Sequence, residues 1–129
     1  AAAADWPEPA RDALAAEALA VLDHPGAAPL FAPGSRAEVA IAGMVGEPGA
    51  PRLLAGRIDR LAVTEGEVLI ADYKTNRPPP ASVAEVPEVY RRQLGHYRAA
   101  LAAMFPGRRV RTFLVWTDGP SVMELTQGA

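Results

Sequence analysis

The sequence predicts an α/β fold with elements in the order αβββαββ. Three observations lead there. The apolar period changes from helical to alternating, back to helical and to alternating again along the chain, and turn or breaker residues stand at each change. About half of the 129 residues are apolar, enough for one core, so a single domain over residues 1–129 is expected. There is no internal repeat and no linker long enough to divide the chain.

The elements follow in order. "EPARDALAAEALAVLDHPG" is rich in Ala and Leu, opens at Pro9 and stops at Pro25-Gly26, which predicts a helix over 9–23. "RAEVAIAG" alternates and predicts a strand over 36–43. "PRLLAGRIDRLAV" and "EVLIADYKT" are two further strands, joined by "TEG" as a hairpin. "NRPPPASVAEVP" is a loop. The helical period returns over 88–104 and ends at Pro106-Gly107, and "RVRTFLVWT" and "SVMELT" form a last strand pair around Asp118-Gly119-Pro120.

Composition removes several classes of chemistry. With no cysteine there is no disulfide, zinc-thiolate site, iron–sulfur cluster or thiol nucleophile, which suits a reducing compartment. No long apolar run and no basic-then-apolar leader are present, so no membrane span or signal peptide is read, and a cytoplasmic setting without membrane contact is expected. A net charge of −2 gives no overall polyanion field, so any nucleic-acid contact must be local. The opening "AAAADW" reads as a cut through a larger chain. No G-x-x-x-x-G-K motif occurs, so this segment is not an ATP motor.

The stretch "VLIADYKTN" at 68–76 poses the chemical question. Alternation puts Asp72 and Lys74 on the face of Val68 and Ile70, so an apolar face ends in a carboxylate and an ammonium. If Glu65-Gly66 is a two-residue turn, cross-strand partners have numbers summing to 131; Asp59 then opposes Asp72, and Arg57 opposes Lys74. Directly opposed side chains lie about 4.5–5.5 Å apart at Cβ, where like charges destabilise. A divalent cation turns that repulsion into coordination, with the Tyr73 carbonyl as a further oxygen and Lys74 beside a bound phosphate. The rival is a carboxylate pair sharing one proton, which leaves Lys74 without a purpose. Lys74 is also the single lysine among twelve arginines. A compact ammonium therefore stands where it differs most from the guanidinium used elsewhere.

On the helix, Tyr90, Gln93, Leu94, Tyr97, Leu101, Met104 and Phe105 form the inward stripe, with Gln93 as its polar exception. Gln93 either bonds a loop carbonyl in the core or borders the site with Tyr97. Glu38 lies off the Val39/Ile41 face and is either solvated or a site carboxylate. His24 in "DHPG" reads as a turn residue, and His96 lies opposite the stripe. Arg77, Arg91, Arg92 and Arg98 are read as mixed surface charge with phosphate contact as the alternative.

Together, "GRIDRLAV", "VLIADYKTN" and "QLGHY", in that order, resemble the RecB-like nucleases of the PD-(D/E)XK superfamily, and within it the C-terminal nuclease region of AddA-type helicase–nuclease subunits. The resemblance spans about residues 36–116. It implies a mixed sheet flanked by helices and hydrolysis of DNA phosphodiesters with Mg²⁺ or Mn²⁺ and no organic cofactor. By position, Asp59 matches the first metal-binding aspartate, Asp72 the second acidic residue, Lys74 the catalytic lysine, Gln93 and Tyr97 the Q-x-x-x-Y helix motif, and Glu38 a glutamate often found on the first strand. The family's metal-binding histidine, from a helix upstream of the first strand, has no match here. The expectation is thus an exodeoxyribonuclease domain cut from a larger bacterial helicase–nuclease of double-strand break repair and recombination. Its partners would be DNA, the parent chain's helicase domains and a second subunit. The competing class is a non-catalytic nuclease-fold module that binds DNA or docks on a helicase, for which the acidic balance and the unmatched histidine speak.

Overall fold

A computed structural model of the protein describes residues 8–45 and 49–126; the alanine-rich opening over 1–7 lies outside them. Helix α1 (Glu8–Asp23) leads into a short 3₁₀ segment (Pro25–Phe31), and then come strands β1 (Arg36–Val45), β2 (Arg52–Val63) and β3 (Glu67–Lys74). Helix α2 (Glu88–Met104) precedes β4 (Arg109–Trp116) and β5 (Ser121–Leu125). The predicted order αβββαββ is the observed one. The 3₁₀ segment is additional: His24 caps it by accepting a hydrogen bond from the Gly26 amide at its Nδ1, 2.9 Å away.

The five strands form one mixed sheet in spatial order β1-β2-β3-β4-β5, antiparallel except where β3 and β4 run parallel. A parallel neighbour needs a crossover, and α2 supplies it. It packs on one face against Ile58, Val68, Ile70, Leu114 and Trp116 through Leu94, Tyr97 and Leu101. Val21, Ala27 and Leu30 cover Leu69, Ala71, Phe113 and Val115 on the other. Strands β3 and β4 are thus covered on both faces, which is why "VLIA" and "FLVW" are unbroken apolar runs. Met104, placed in the inward stripe by periodicity, is instead 51% exposed, because α2 ends there and the stripe has turned past the sheet edge.

The β2–β3 register is Arg60↔Ala71, Leu61↔Ile70, Ala62↔Leu69 and Val63↔Val68, each summing to 131 around a Thr64–Glu67 turn closed by a 2.8 Å hydrogen bond. The ladder stops at Arg60↔Ala71. Arg57 is therefore not opposite Lys74, as a regular ladder would have it; it pairs with Ala40 of β1. The reason lies in β2 itself. Leu61 and Ile58 both join the α2-side core, while Arg60 reaches the other side to the Leu30 carbonyl, so strict alternation fails between 58 and 61. The β1 position facing Asp59, between Ala37↔Arg60 and Val39↔Ile58, is Glu38. Its φ of 52° is the sole positive value at a non-glycine among the described residues. That left-handed backbone turns the β1–β2 pair at this point, and β2 leaves β3.

Beyond the turn, β2 rests on α2. A Cβ on Gly56 would lie 2.7 Å from the Tyr97 Oη and 3.0 Å from its Cε1. The buried Tyr97 donates its hydroxyl to the Arg57 carbonyl at 3.3 Å. Gly56→Ala must displace that ring and its hydrogen bond. The expected cost is about 1–3 kcal/mol, read as a lower urea midpoint at unchanged slope.

Candidate active site

Where β2 and β3 part, main-chain pairing has to be replaced. Asp59 does this with its side chain: the Tyr73 amide donates to Asp59 Oδ2 at 2.8 Å, one step beyond the last ladder pair. Alternation on β3 then places Asp72 and Lys74 on the α2 side and the Tyr73 ring in the opposite core. Only the backbone of Tyr73 faces this junction.

Asp72 is buried, at 7% exposure. Its buried Oδ2 lies 2.5 Å from Lys74 Nζ in a close ion pair. Burial, and next a hydrogen-bonding contact with the Asp59 carboxyl, push the Asp72 carboxyl up to about 6, against the opposing pull of Lys74. The ammonium is held on three sides. Besides Asp72 it lies 3.5 Å from Gln93 Oε1 and 4.1 Å from the centroid of the Tyr90 ring, and its side chain is 16% exposed. Tyr90 in turn donates its hydroxyl to Asn76 Oδ1 at 3.2 Å and tilts against Trp116, ring centroids 6.2 Å apart.

The structure thus gathers Asp59, Asp72, Lys74 and Gln93. Tyr97, on the same helix face, bonds the Arg57 carbonyl, and Glu38, across β1–β2 from Asp59, is exposed. His24 caps the 3₁₀ segment, and His96 Nε2 lies 2.6 Å from Arg52. Arg91 braces the carbonyls of Val83 and Val86, and Arg77 ties Glu17 of α1 to Asp118. Tyr90 and Asn76 were not singled out as neighbours of the lysine. Their signals were present: Tyr90 stands one turn before Gln93, and Asn76 two residues after Lys74.

These groups suit a hard divalent cation. A buried carboxylate, a second carboxylate against it and a raised proton affinity describe a pair that is poor as two bare anions and good as ligands. Among the described residues no group of three His, Asp or Glu side chains gathers. Two carboxylates with remaining positions left to water and phosphate oxygens is the pattern Mg²⁺ accepts.

A mixed sheet with a crossover helix thus carries a carboxylate pair and a lysine at the parting of two strands. The chain belongs to the PD-(D/E)XK nuclease superfamily, whose family model matches residues 3–124. Proteins of that superfamily are nucleases and typically use divalent metal ions. Among solved structures, the protein SSO0001 is similar over 95% of this chain at 17% identity and a TM-score of 0.49. The chain spans about half, 54%, of the length of that protein. A search of curated proteins found no match. Among the described residues no helix is long and apolar enough to cross a membrane.

Proposed function

We propose that this chain hydrolyses DNA phosphodiesters at the Asp59–Asp72–Lys74 junction. The observation that carries the proposal is the buried Asp72 carboxylate, set between a second carboxylate and the chain's single lysine. Asp59 and Asp72, with the Tyr73 carbonyl, would hold Mg²⁺ or Mn²⁺, which supplies charge for the phosphate and acidifies water for attack on phosphorus. Lys74 offers its ammonium to the phosphate oxygens as water's oxygen bonds phosphorus and the ester P–O bond breaks. Gln93 and the Tyr90 ring hold that ammonium in place without neutralising it. Asp59 keeps its carboxylate fixed through the Tyr73 amide, so the site needs little reordering when substrate arrives.

Within that chemistry, the reading extends to an exodeoxyribonuclease domain of an AddA-type helicase–nuclease. It would act in the bacterial cytoplasm in double-strand break repair and recombination, beside the parent chain's helicase domains and a second subunit. The support is the ordered combination "GRIDRLAV", "VLIADYKTN" and "QLGHY". The test is cleavage of end-labelled single-stranded DNA with Mg²⁺, Mn²⁺ or Ca²⁺ by this chain, by a version extended upstream, and by Asp72→Asn in each. Cleavage that needs Mg²⁺ or Mn²⁺ and is lost in Asp72→Asn supports the proposal. DNA binding without cleavage in every version and every metal favours a non-catalytic nuclease-fold module, the reading suited by the lack of a histidine beside the carboxylates among the described residues.

A further inference from the structure

Far from the carboxylates, the second half of α2, the start of β4 and the end of β5 enclose a cleft of about 360 Å³. Four of the twelve arginines, Arg98, Arg108, Arg109 and Arg111, line it against one lining carboxylate, Glu124. The chain as a whole carries −2, so this end concentrates the opposite sign. Concave surfaces lined by one sign focus the field into the cleft.

The four guanidinium groups are not equivalent. Arg111 is neutralised: its Nε and Nη2 donate to the two Glu124 oxygens at 2.9 and 2.7 Å, and Glu67 lies 3.6 Å away. Arg98 is fixed but not neutralised. Its Nη2 donates to Thr112 Oγ1 at 2.6 Å and the Leu125 carbonyl at 2.5 Å, both uncharged, and its Nε is buried with no partner. Burial makes its charge harder to keep, and the Glu124 charge nearby opposes that only in part. Arg108 lies over the Phe105 ring at 5.2 Å and has no acidic partner among the described residues. Arg109 is 70% exposed and only 3.9 Å from Glu67, a long and weak pair. Four cations therefore meet two carboxylates, Glu124 and Glu67, around one cleft, and a positive surplus remains.

The cleft also lies in line with the candidate active site. The parallel register sets Glu67 beside Arg109 at one end of β3–β4 and Lys74 beside Trp116 at the other. At ~3.3 Å per residue the two ends are roughly 23 Å apart, a span that one strand several nucleotides long can bridge. Helix α2 borders both, with Gln93 at Lys74 and Arg98 at Thr112.

We infer that this cleft is a second nucleic-acid contact, taking backbone phosphates of the strand whose scissile bond lies at Asp72. The inference rests on the nuclease reading for which strand is held, but the binding it describes needs no cleavage. It is tested with Arg108→Ala/Arg109→Ala, which leaves the fixed Arg98 and the Arg111–Glu124 pair intact, and with Arg108→Lys/Arg109→Lys as charge rescue. Unchanged melting establishes that both are folded. Binding of a fluorescent 30-nucleotide single strand is measured in Ca²⁺ across a salt series, beside binding and Mg²⁺-dependent cleavage of a two-nucleotide strand too short to reach both ends. Loss of two phosphate contacts should lower the slope of log K against log salt by about 1.4, at ~0.7 per contact. It should weaken long-strand binding about tenfold in low salt, with the lysine version near wild type and the short strand unaffected. Wild-type slope and affinity in the alanine variant would overturn the inference, as would equal losses on both strand lengths. If no version cleaves while the slope still falls, the nuclease reading fails and the cleft stands; if cleavage is normal and the slope holds, the reverse is true.

Discussion

Lys74→Arg is expected to slow single-turnover DNA cleavage at least about tenfold, roughly 1.4 kcal/mol of transition-state stabilisation, with DNA binding in Ca²⁺ little changed. The surroundings of the lysine give the reason. Its ammonium fits between Asp72 Oδ2, Gln93 Oε1 and the Tyr90 ring, with the side chain largely enclosed. A guanidinium keeps the charge, but it is planar and larger and holds its protons far more tightly, so it cannot take the same position or the same part in proton transfer. If charge balance were the whole role, the variant would cleave at near the normal rate, and that result would remove Lys74 from the chemistry. Equal losses in binding and cleavage would make it a docking residue. The measurement is made in the upstream-extended version alongside this chain.

Asp72→Asn is expected to raise the metal-free melting temperature at neutral pH while abolishing the shift that Mg²⁺ produces. In the fold, burial and Asp59 hold the Asp72 proton up to about pH 6, against a reference value of 3.8. Between those values the folded chain binds more protons than the unfolded one. Metal-free stability contributed by this group is therefore greatest below pH 4 and falls as the pH rises through 6. Asparagine removes that slope. The wild type regains stability when a cation occupies the pair, by about 2.7 kcal/mol at a hundred times its dissociation constant, and the variant does not. Melting in EDTA and in Mg²⁺ across pH 4–8 reads both effects. A large loss of metal-free stability in the variant would instead make Asp72 a structural partner of Lys74.

Much of this was legible before any coordinates. Breakers at Pro25-Gly26, Glu65-Gly66 and Pro106-Gly107 bound the elements, and the turn at 65–66 set the register that brings Asp59 toward Asp72. The place where the reading failed is equally specific. Counting on past Arg60↔Ala71 assigned Arg57 to Lys74, but arithmetic assumes a continuous ladder, and the ladder ends because β2 turns with β1. Nothing in "RAEVAIAG" announces a left-handed backbone at Glu38, since glutamate is not a residue that favours it. The 3₁₀ segment went unread because "PGAAPLF" looks like a loop until its docking against β3 and β5 is known. The third contact of the lysine was hidden for a similar reason. Tyr90 looked like core, and its ring does pack against Trp116, but its face also receives the ammonium.

The parting of β2 from β3 gives the site two jaws with separate anchorages. Asp72 and Lys74 are bolted to β4 by the parallel ladder that runs through both of them. Asp59 belongs to the β1–β2 arm, whose seat is α2, through Tyr97 and the Arg57 carbonyl. Across the gap the Tyr73 amide reaches Asp59, and the Asp59 and Asp72 carboxyls meet. The spacing of the two carboxylates is therefore set jointly by the β3–β4 ladder and by how the arm sits on the helix.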